Sequence, residues 1–517
     1  MREKQIKVYT KNSIQIKTQD FAHALFYADS IAVIGASNTR GSWGFMVFQQ
    51  LVNSKKTRPD RKIWPINPSI PDALGVKTYP NIIDVPSNVD LAVIVVSVTR
   101  VPEVLRQCTM KGVKAAIIIS AGFAEIGEEG VQLQNEIVSI AQQGGLRFVG
   151  PNCIGHASVH EQLLTAGFAH WFKPGSVALL AQSGNIGSRI GRIAMHHNIG
   201  FSKFVGTGNE ADLHTEDFLE YLADDDETLL IAAYVEGLKE GRRFLRLAKE
   251  ITLKKPIILM KAGGTGGSAK AAMSHTGALV GSEAVYRGAL EQTGVIQVDN
   301  EYEMCDVVKA LQAQPLPRGY GIRILTMGGG FGVVTAETCE KLGLEIPSLE
   351  SATVEKLNVI LPPRWSHGNP VDMVGIKPMA ENETILNCLK ALFLDPQVDT
   401  IFSMVIPIET SIGTLGDLSP ERLRELNTQY NDSINMLNDL AQKHNKPIYF
   451  VGKVPLPEGE QPLLTSQKKI PSYPSAHRAA RVVRHLVWYQ KYKERKNSEY
   501  SRRRLKAMAS QGIQESE

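Results

Sequence analysis

His275 is the residue of this 517-residue chain best placed for covalent chemistry. It stands in Ala271-Ala-Met-Ser-His275-Thr-Gly-Ala-Leu-Val280-Gly, after a glycine-rich loop, Gly263–Gly267, and a strand-like run, Pro256–Lys261. Small neighbours leave room for a bulky, charged adduct on the imidazole, and glycines let backbone N–H groups approach an anion. Glu236 ends the apolar run Ala232-Ala-Tyr-Val-Glu236. A carboxylate there can bond one imidazole nitrogen and leave the other nucleophilic, although a simple strand-end charge is the plain alternative. Gln182-Ser183-Gly184-Asn185-Ile-Gly187 follows the apolar run Ser176–Leu180 and should open a helix. The N–H groups and positive dipole end of that helix suit an anion, with the Ser183 hydroxyl as an added donor. A tight turn with an N-cap serine explains the same residues equally well. His196, His197 and His214 lack a comparable setting and read as surface or packing residues.

A second kind of site is suggested where Ile31–Ile34 meets Gly35-Ala-Ser37-Asn-Thr-Arg-Gly-Ser-Trp-Gly44. A dinucleotide loop wants G-x-G-x-x-G and an acidic residue at the end of the second strand, where it holds the ribose hydroxyls. Here the second strand ends in Asn67-Pro-Ser69, with no carboxylate. NAD is therefore disfavoured; a phosphorylated nucleotide of another kind and a purely structural turn both stay open.

The elements that must position these residues alternate between strands and helices. In the first region the strand-like runs are Ile31–Ile34, Lys62–Asn67, Asp90–Val96, Ala115–Ser120 and Leu146–Val149, with helix-like stretches at Phe45–Leu51, Val101–Lys111 and Glu128–Gln143. Such alternation indicates a parallel, doubly wound sheet whose switch point binds a nucleotide-like ligand. The second region repeats the style, with runs at Ser176–Leu180, Leu229–Val235 and Pro256–Met260. After the linker-like Gln314–Gly319, a third region opens with Gly321–Thr326 and Gly328-Gly-Gly-Phe-Gly332, continues through Asp399–Val405 and Pro447–Val451, and closes in a helix near Ala476–Tyr492. Three strand–glycine–helix openings suggest three α/β units.

Composition bounds the rest. Apolar content of 43% and charged content of 21% are those of an ordinary globular protein. A net charge of +4 does not by itself call for nucleic acid, and none is expected. Between Lys491 and Lys506 lie eight Lys/Arg against two Glu, which reads as a solvated helix end and basic tail. The five cysteines, at 108, 153, 305, 339 and 388, show neither metal-ligand spacing nor a disulfide framework and suit a reducing compartment. No metal site is expected. No apolar leader or membrane-spanning run is evident, so a cytoplasmic location and no membrane contact are expected.

Taken together, the segments Ile31–Ser37, Trp64–Pro68, Ile117–Phe123, Gly150–Gly155, Ala181–Asn185, Gly206–Asp212, Ser274–Leu279 and Asn369–Asp372 resemble the NDP-forming acyl-CoA synthetases, relatives of succinyl-CoA synthetase, and most closely the α part of the ADP-forming acetyl-CoA synthetase type. The resemblance runs from about Phe21 to Tyr492. It implies an α/β chain of three doubly wound parallel-sheet domains. These would be a Rossmann-like CoA-binding domain over 1–150 and two flavodoxin-like domains, over 151–313 with a phosphohistidine loop and over 314–492, followed by a basic flexible tail, 493–517.

By motif match His275 would be the phosphohistidine and Glu236 its stabilising carboxylate, with Ser183, Gly184 and Asn185 holding phosphate. Gly35, Ser37, Asn67, Ser97, Ser120, Asn152 and Cys153 would line the CoA site, and Asn209 would face the acyl or carboxylate group. Ser69 stands where the family often has a basic residue, and Thr326-Met-Gly-Gly-Gly-Phe-Gly332 departs from its usual third-domain loop. Nothing after residue 313 resembles an ATP-grasp domain, so a separate ATP-grasp β partner carrying Mg²⁺ and ATP or ADP is implied, in a hetero-oligomer. The rival reading is a non-catalytic CoA or acyl-CoA binding module; His275, Glu236 and Ser183 together argue against it.

Overall fold

A computed structural model describes residues 18–167, 172–263, 283–373, 381–406, 419–452 and 469–510. His275 lies outside the described residues. The chain forms two compact units, Met1–Met304 and Cys305–Glu517. No helix among the described residues is long and apolar enough to cross a membrane.

The first sheet collects β1 (Ser30–Ile34), β2 (Lys62–Ile66), β3 (Leu91–Ile94), β4 (Ala115–Ile118) and β5 (Arg147–Val149) in the order β2-β1-β3-β4-β5, all parallel. Its helices α1 (Thr18–Phe26), α2 (Trp43–Ser54), α3 (Val101–Lys111) and α4 (Glu128–Gly144) cover both faces' worth of apolar residues. Strands of a parallel sheet are buried on two sides, which is why Ile31-Ala-Val-Ile34 and Leu91-Ala-Val-Ile94 read as unbroken apolar runs.

The second sheet contains β6 (Gly155–Ser158), β7 (Leu163–Leu164), β8 (Pro174–Ala181), β9 (Phe201–Gly206), β10 (Leu230–Val235), β11 (Ile257–Lys261) and β12 (Ile296–Val298), in the order β12-β11-β10-β8-β9-β6-β7. Its five parallel strands repeat the order of the first sheet, and β6 and β7 extend one edge in antiparallel fashion. The helices α5 (Gly184–His196), α6 (Thr215–Ala223), α7 (Gly241–Ile251) and α8 (Glu283–Glu291) connect these strands. One continuous core joins Ile31, Val33 and Leu91 of the first sheet to Leu180, Ile231 and Leu259 of the second, so the two sheets hold their loop ends in fixed register. Arg147 on Asp212 and Arg58 on Glu161 add ion pairs between them.

After α9 (Glu301–Ala313), the second unit carries β13 (Ile322–Thr326), β14 (Val371–Asp372), β15 (Thr400–Ser403), β16 (Ile448–Val451) and β17 (Ser472–Tyr473), ordered β14-β13-β15-β16-β17 and all parallel. The three larger sheets thus share one order of parallel strands, that of a flavodoxin-like doubly wound fold, with a topological switch point beside the first strand of each. The C-terminal helix, Ala476–Ser510, continues well past Tyr492 through the basic stretch.

Candidate functional sites at two switch points

The first switch point lies between β1 and β3. Gly35 follows β1 with φ +97, a conformation that favours glycine, and a side chain there would strike the Val95 carbonyl. Gly44 lies against the Gly35 carbonyl in the same way, so α2 can begin close to the end of β1. Ser42 caps α2 by accepting from the Phe45 N–H, which leaves the helix start and its positive dipole facing the loop. Gly35→Ala is expected to cost about 3 kcal/mol. A denaturant melt would show this as a lowered midpoint; an unchanged midpoint would refute the strain argument.

Beside Gly35 opens a cleft of about 370 Å³, counting the space at its mouth. Ile34, Ile66, Val96 and Val104 give it apolar walls, while Asn67, Asn81, Gln107 and Arg100 supply polar groups. The Asn67 amide donates to the Ala36 carbonyl at 2.8 Å and accepts from the Ser69 N–H at 2.8 Å, so it ties the loops after β1 and β2 together and shapes the cleft. Ser37 Oγ accepts from the Thr39 N–H at 3.0 Å. Ser97 is exposed and begins the turn after β3, and Ser120 Oγ donates to the Val96 carbonyl.

Asn152 and Cys153 sit on the next turn, where the Asn152 N–H donates to the Ser120 carbonyl at 2.9 Å. The Cys153 thiol is buried and faces the Ile118 carbonyl at 3.3 Å, and burial pushes it up to about 12. It therefore packs as a neutral side chain. The Asn152 amide donates to Asn209 Oδ1 at 3.2 Å, and Asn209 Nδ2 donates to Glu125 at 2.6 Å and Gln134 at 3.0 Å. Both amide hydrogens of Asn209 are thus engaged within the protein, in a network that joins the two sheets. Burial works against charge on Glu125, yet hydrogen bonds from Asn209 and the Gly122 N–H outweigh it and hold this carboxyl below its ordinary range.

The second switch point lies between β8 and β10. Ser183 is the N-cap of α5 and makes no side-chain cap bond, and the first N–H groups of this 13-residue helix follow it. Gly184 packs against Ile154, where a side chain would collide, and Asn185 is exposed in the first turn. Gln182, just before, is a clamp. Its Oε1 accepts from the N–H groups of Glu236 and Gly237, and its Nε2 donates to the Gly237 carbonyl at 2.7 Å. This fixes Glu236 beside the helix start. Glu236 is only 7% exposed, and Tyr234 Oη donates to its Oε1 at 3.3 Å.

From the end of β11, Lys261 Nζ donates to the Glu236 carbonyl at 2.8 Å and to the Ala262 carbonyl, and lies 5.1 Å from the centre of the Tyr286 ring. Burial lowers the Lys261 pKa, and the Glu236 charge partly offsets this. In the sequence His275 follows this lysine by 14 positions, outside the described residues.

The structure therefore brings Ser183, Gly184 and Glu236 together past the C-terminal ends of the neighbouring strands β8 and β10, and Gly35 and Asn67 together in one cleft, with Ser37, Ser97 and Ser120 on neighbouring loops. Sequence reasoning did not single out Arg100, Gln182 and Lys261 as site residues. Lone polar residues at strand ends carry no spacing signal, and only their neighbours in space reveal their roles.

Residues 29–158 match the family of CoA binding domains, and residues 174–311 match the succinyl-CoA ligase-like flavodoxin domain. The chain is 42% identical over 381 residues to the α subunit of acetate–CoA ligase [ADP-forming] II of Pyrococcus furiosus, covering 74% of this chain and 81% of that one. It is also 42% identical over 350 residues to acetate–CoA ligase [ADP-forming] of Methanocaldococcus jannaschii, covering 68% of this chain but only 48% of that longer protein. Among solved structures, the dinucleotide-forming acetyl-coenzyme A synthetase 1 of Ca. Korarchaeum cryptofilum, in complex with phosphate and ADP, superposes with a TM-score of 0.77 at 29% identity, covering 92% of this chain and 98% of that one.

Proposed function

Since this chain belongs to the ADP-forming acyl-CoA synthetase family as a protein of the α-subunit type, we propose that it interconverts acyl-CoA, phosphate and ADP with a carboxylate, CoA and ATP, together with an ATP-grasp β partner. The observation that carries this reading is the meeting of the α5 start, at Ser183, with buried Glu236, which Gln182 holds there. The three-domain division at 150 and 313 belongs to the same proposal. CoA occupies the cleft beside Gly35; Mg²⁺ and ATP or ADP lie on the partner.

Three steps account for the reaction. Phosphate attacks the thioester carbonyl, the C–S bond breaks, and CoA leaves as the thiol with an acyl phosphate formed. A neutral nitrogen of His275 then attacks the phosphorus, the P–O bond to the acyl oxygen breaks, and the carboxylate departs. Finally the phosphoryl group passes from nitrogen to the terminal oxygen of ADP. Glu236 orients the imidazole and stabilises the positive charge it gains on phosphorylation. Ser183 and the N–H groups that open α5 offset the charge of the transferring phosphoryl group. Gln182 and Lys261 hold the Glu236 backbone, and so set where its carboxylate stands.

Mixing the chain with acetyl-CoA, phosphate and Mg²⁺, with and without an ATP-grasp partner, tests this directly. Acid-labile phosphate on His275, detected by mass spectrometry, is expected. Its absence with the partner present and a range of acyl-CoAs tried, in a chain that still binds CoA, would favour the binding-module reading.

A further inference from the structure

We propose that Arg100 is the residue that recognises the ribose 3′-phosphate of CoA, and thereby separates CoA from nucleotides that lack it. The inference rests on the CoA reading of the cleft beside Gly35. Among the described residues that line this cleft, Arg100 is the only charged one. It stands in the turn of Val98–Arg100 that follows β3, is exposed, and lines the cleft.

The argument divides the ligand's charge between two kinds of donor. The start of α2, with its Ser42 cap and glycine approach, offers neutral N–H groups and a dipole to a diphosphate. A phosphate monoester is different: it carries about −1.5 to −2 charge near neutral pH and gains most from a full cation. A guanidinium suits it particularly, because its planar fork can make two parallel bonds to phosphoryl oxygens. The rest of the lining is consistent with this. Where a free ribose would be held by a carboxylate, Asn67 follows β2, and Asn81 also lines the cleft. A cleft lined by one arginine and no acid accepts a phosphorylated ribose and would not repel it. Arg100 makes this distinction without touching the reacting thioester, so it is a specificity residue for the cosubstrate.

Titration calorimetry on the full chain with CoA and with 3′-dephospho-CoA tests the assignment. The unaltered protein should bind CoA about tenfold to a hundredfold more tightly than the dephosphorylated form. Arg100→Gln should remove that preference while leaving affinity for dephospho-CoA unchanged, and Arg100→Lys should restore part of it. Because Arg100 is exposed, neither change should lower the melting temperature. Equal binding of both ligands by the unaltered chain would overturn the inference, as would an Arg100→Gln protein that still discriminates. In both cases the CoA reading would survive. Failure of the unaltered chain to bind either ligand would overturn both.

Discussion

His275→Ala is expected to abolish acyl-CoA-dependent ATP formation, lowering turnover by about four to six orders of magnitude, as loss of a covalent nucleophile does elsewhere. The affinity for CoA should not change, since the cleft beside Gly35 is built from the first sheet and His275 follows β11 of the second. This pairing makes the result specific. A misfolded variant would lose both properties, whereas a missing nucleophile removes only one. Rapid-quench assays with the partner present give turnover, and calorimetry gives CoA binding. An alanine variant that still makes ATP would show that the phosphoryl group does not pass through this residue.

Glu236→Gln should slow phosphorylation of His275 by about 10² to 10⁴-fold. The substitution preserves shape and leaves the backbone bonds to Gln182 and Lys261 untouched, so the carboxylate charge is what it tests. A neutral amide can still accept a hydrogen bond, but it gives little stabilisation to the cationic imidazole that forms as phosphorus is attacked. The measurement is single-turnover formation of phosphoenzyme from acyl-CoA and phosphate, with CoA binding as the internal control. Phosphorylation at the unaltered rate would reduce Glu236 to a buried structural carboxylate.

Much of this architecture is visible in the primary structure because of how parallel sheets are built. Strands covered on both sides become unbroken apolar runs, and Val101–Lys111 and Glu128–Gly144 emerge as helices within a residue of where periodicity places them. The strands that escape notice are those with polar interruptions. In Phe201–Gly206, Lys203 is fully buried because Glu227 and Asp225 pair with it across the fold, which no local pattern announces. Gly155–Ser158 is similarly short and polar, and is buried by its antiparallel neighbours.

By itself the sequence determined the strand–glycine–helix openings at Gly35, Ser183 and Gly328, because close approach of a helix to a strand end leaves room only for small residues. It also supplied the proposal that His275 and Glu236 act as a pair. Tertiary structure alone decided which residues meet. Strand order places the ends of β1, β2 and β3 around one cleft and brings in Arg100; it sets β8 beside β10, so that Gln182 reaches across 54 positions to hold Glu236. It likewise turned Asn209 toward Glu125 and Gln134, and the Cys153 thiol into the core. Those outcomes follow from packing and hydrogen-bond satisfaction between distant segments, and these depend on the folded neighbours a residue acquires.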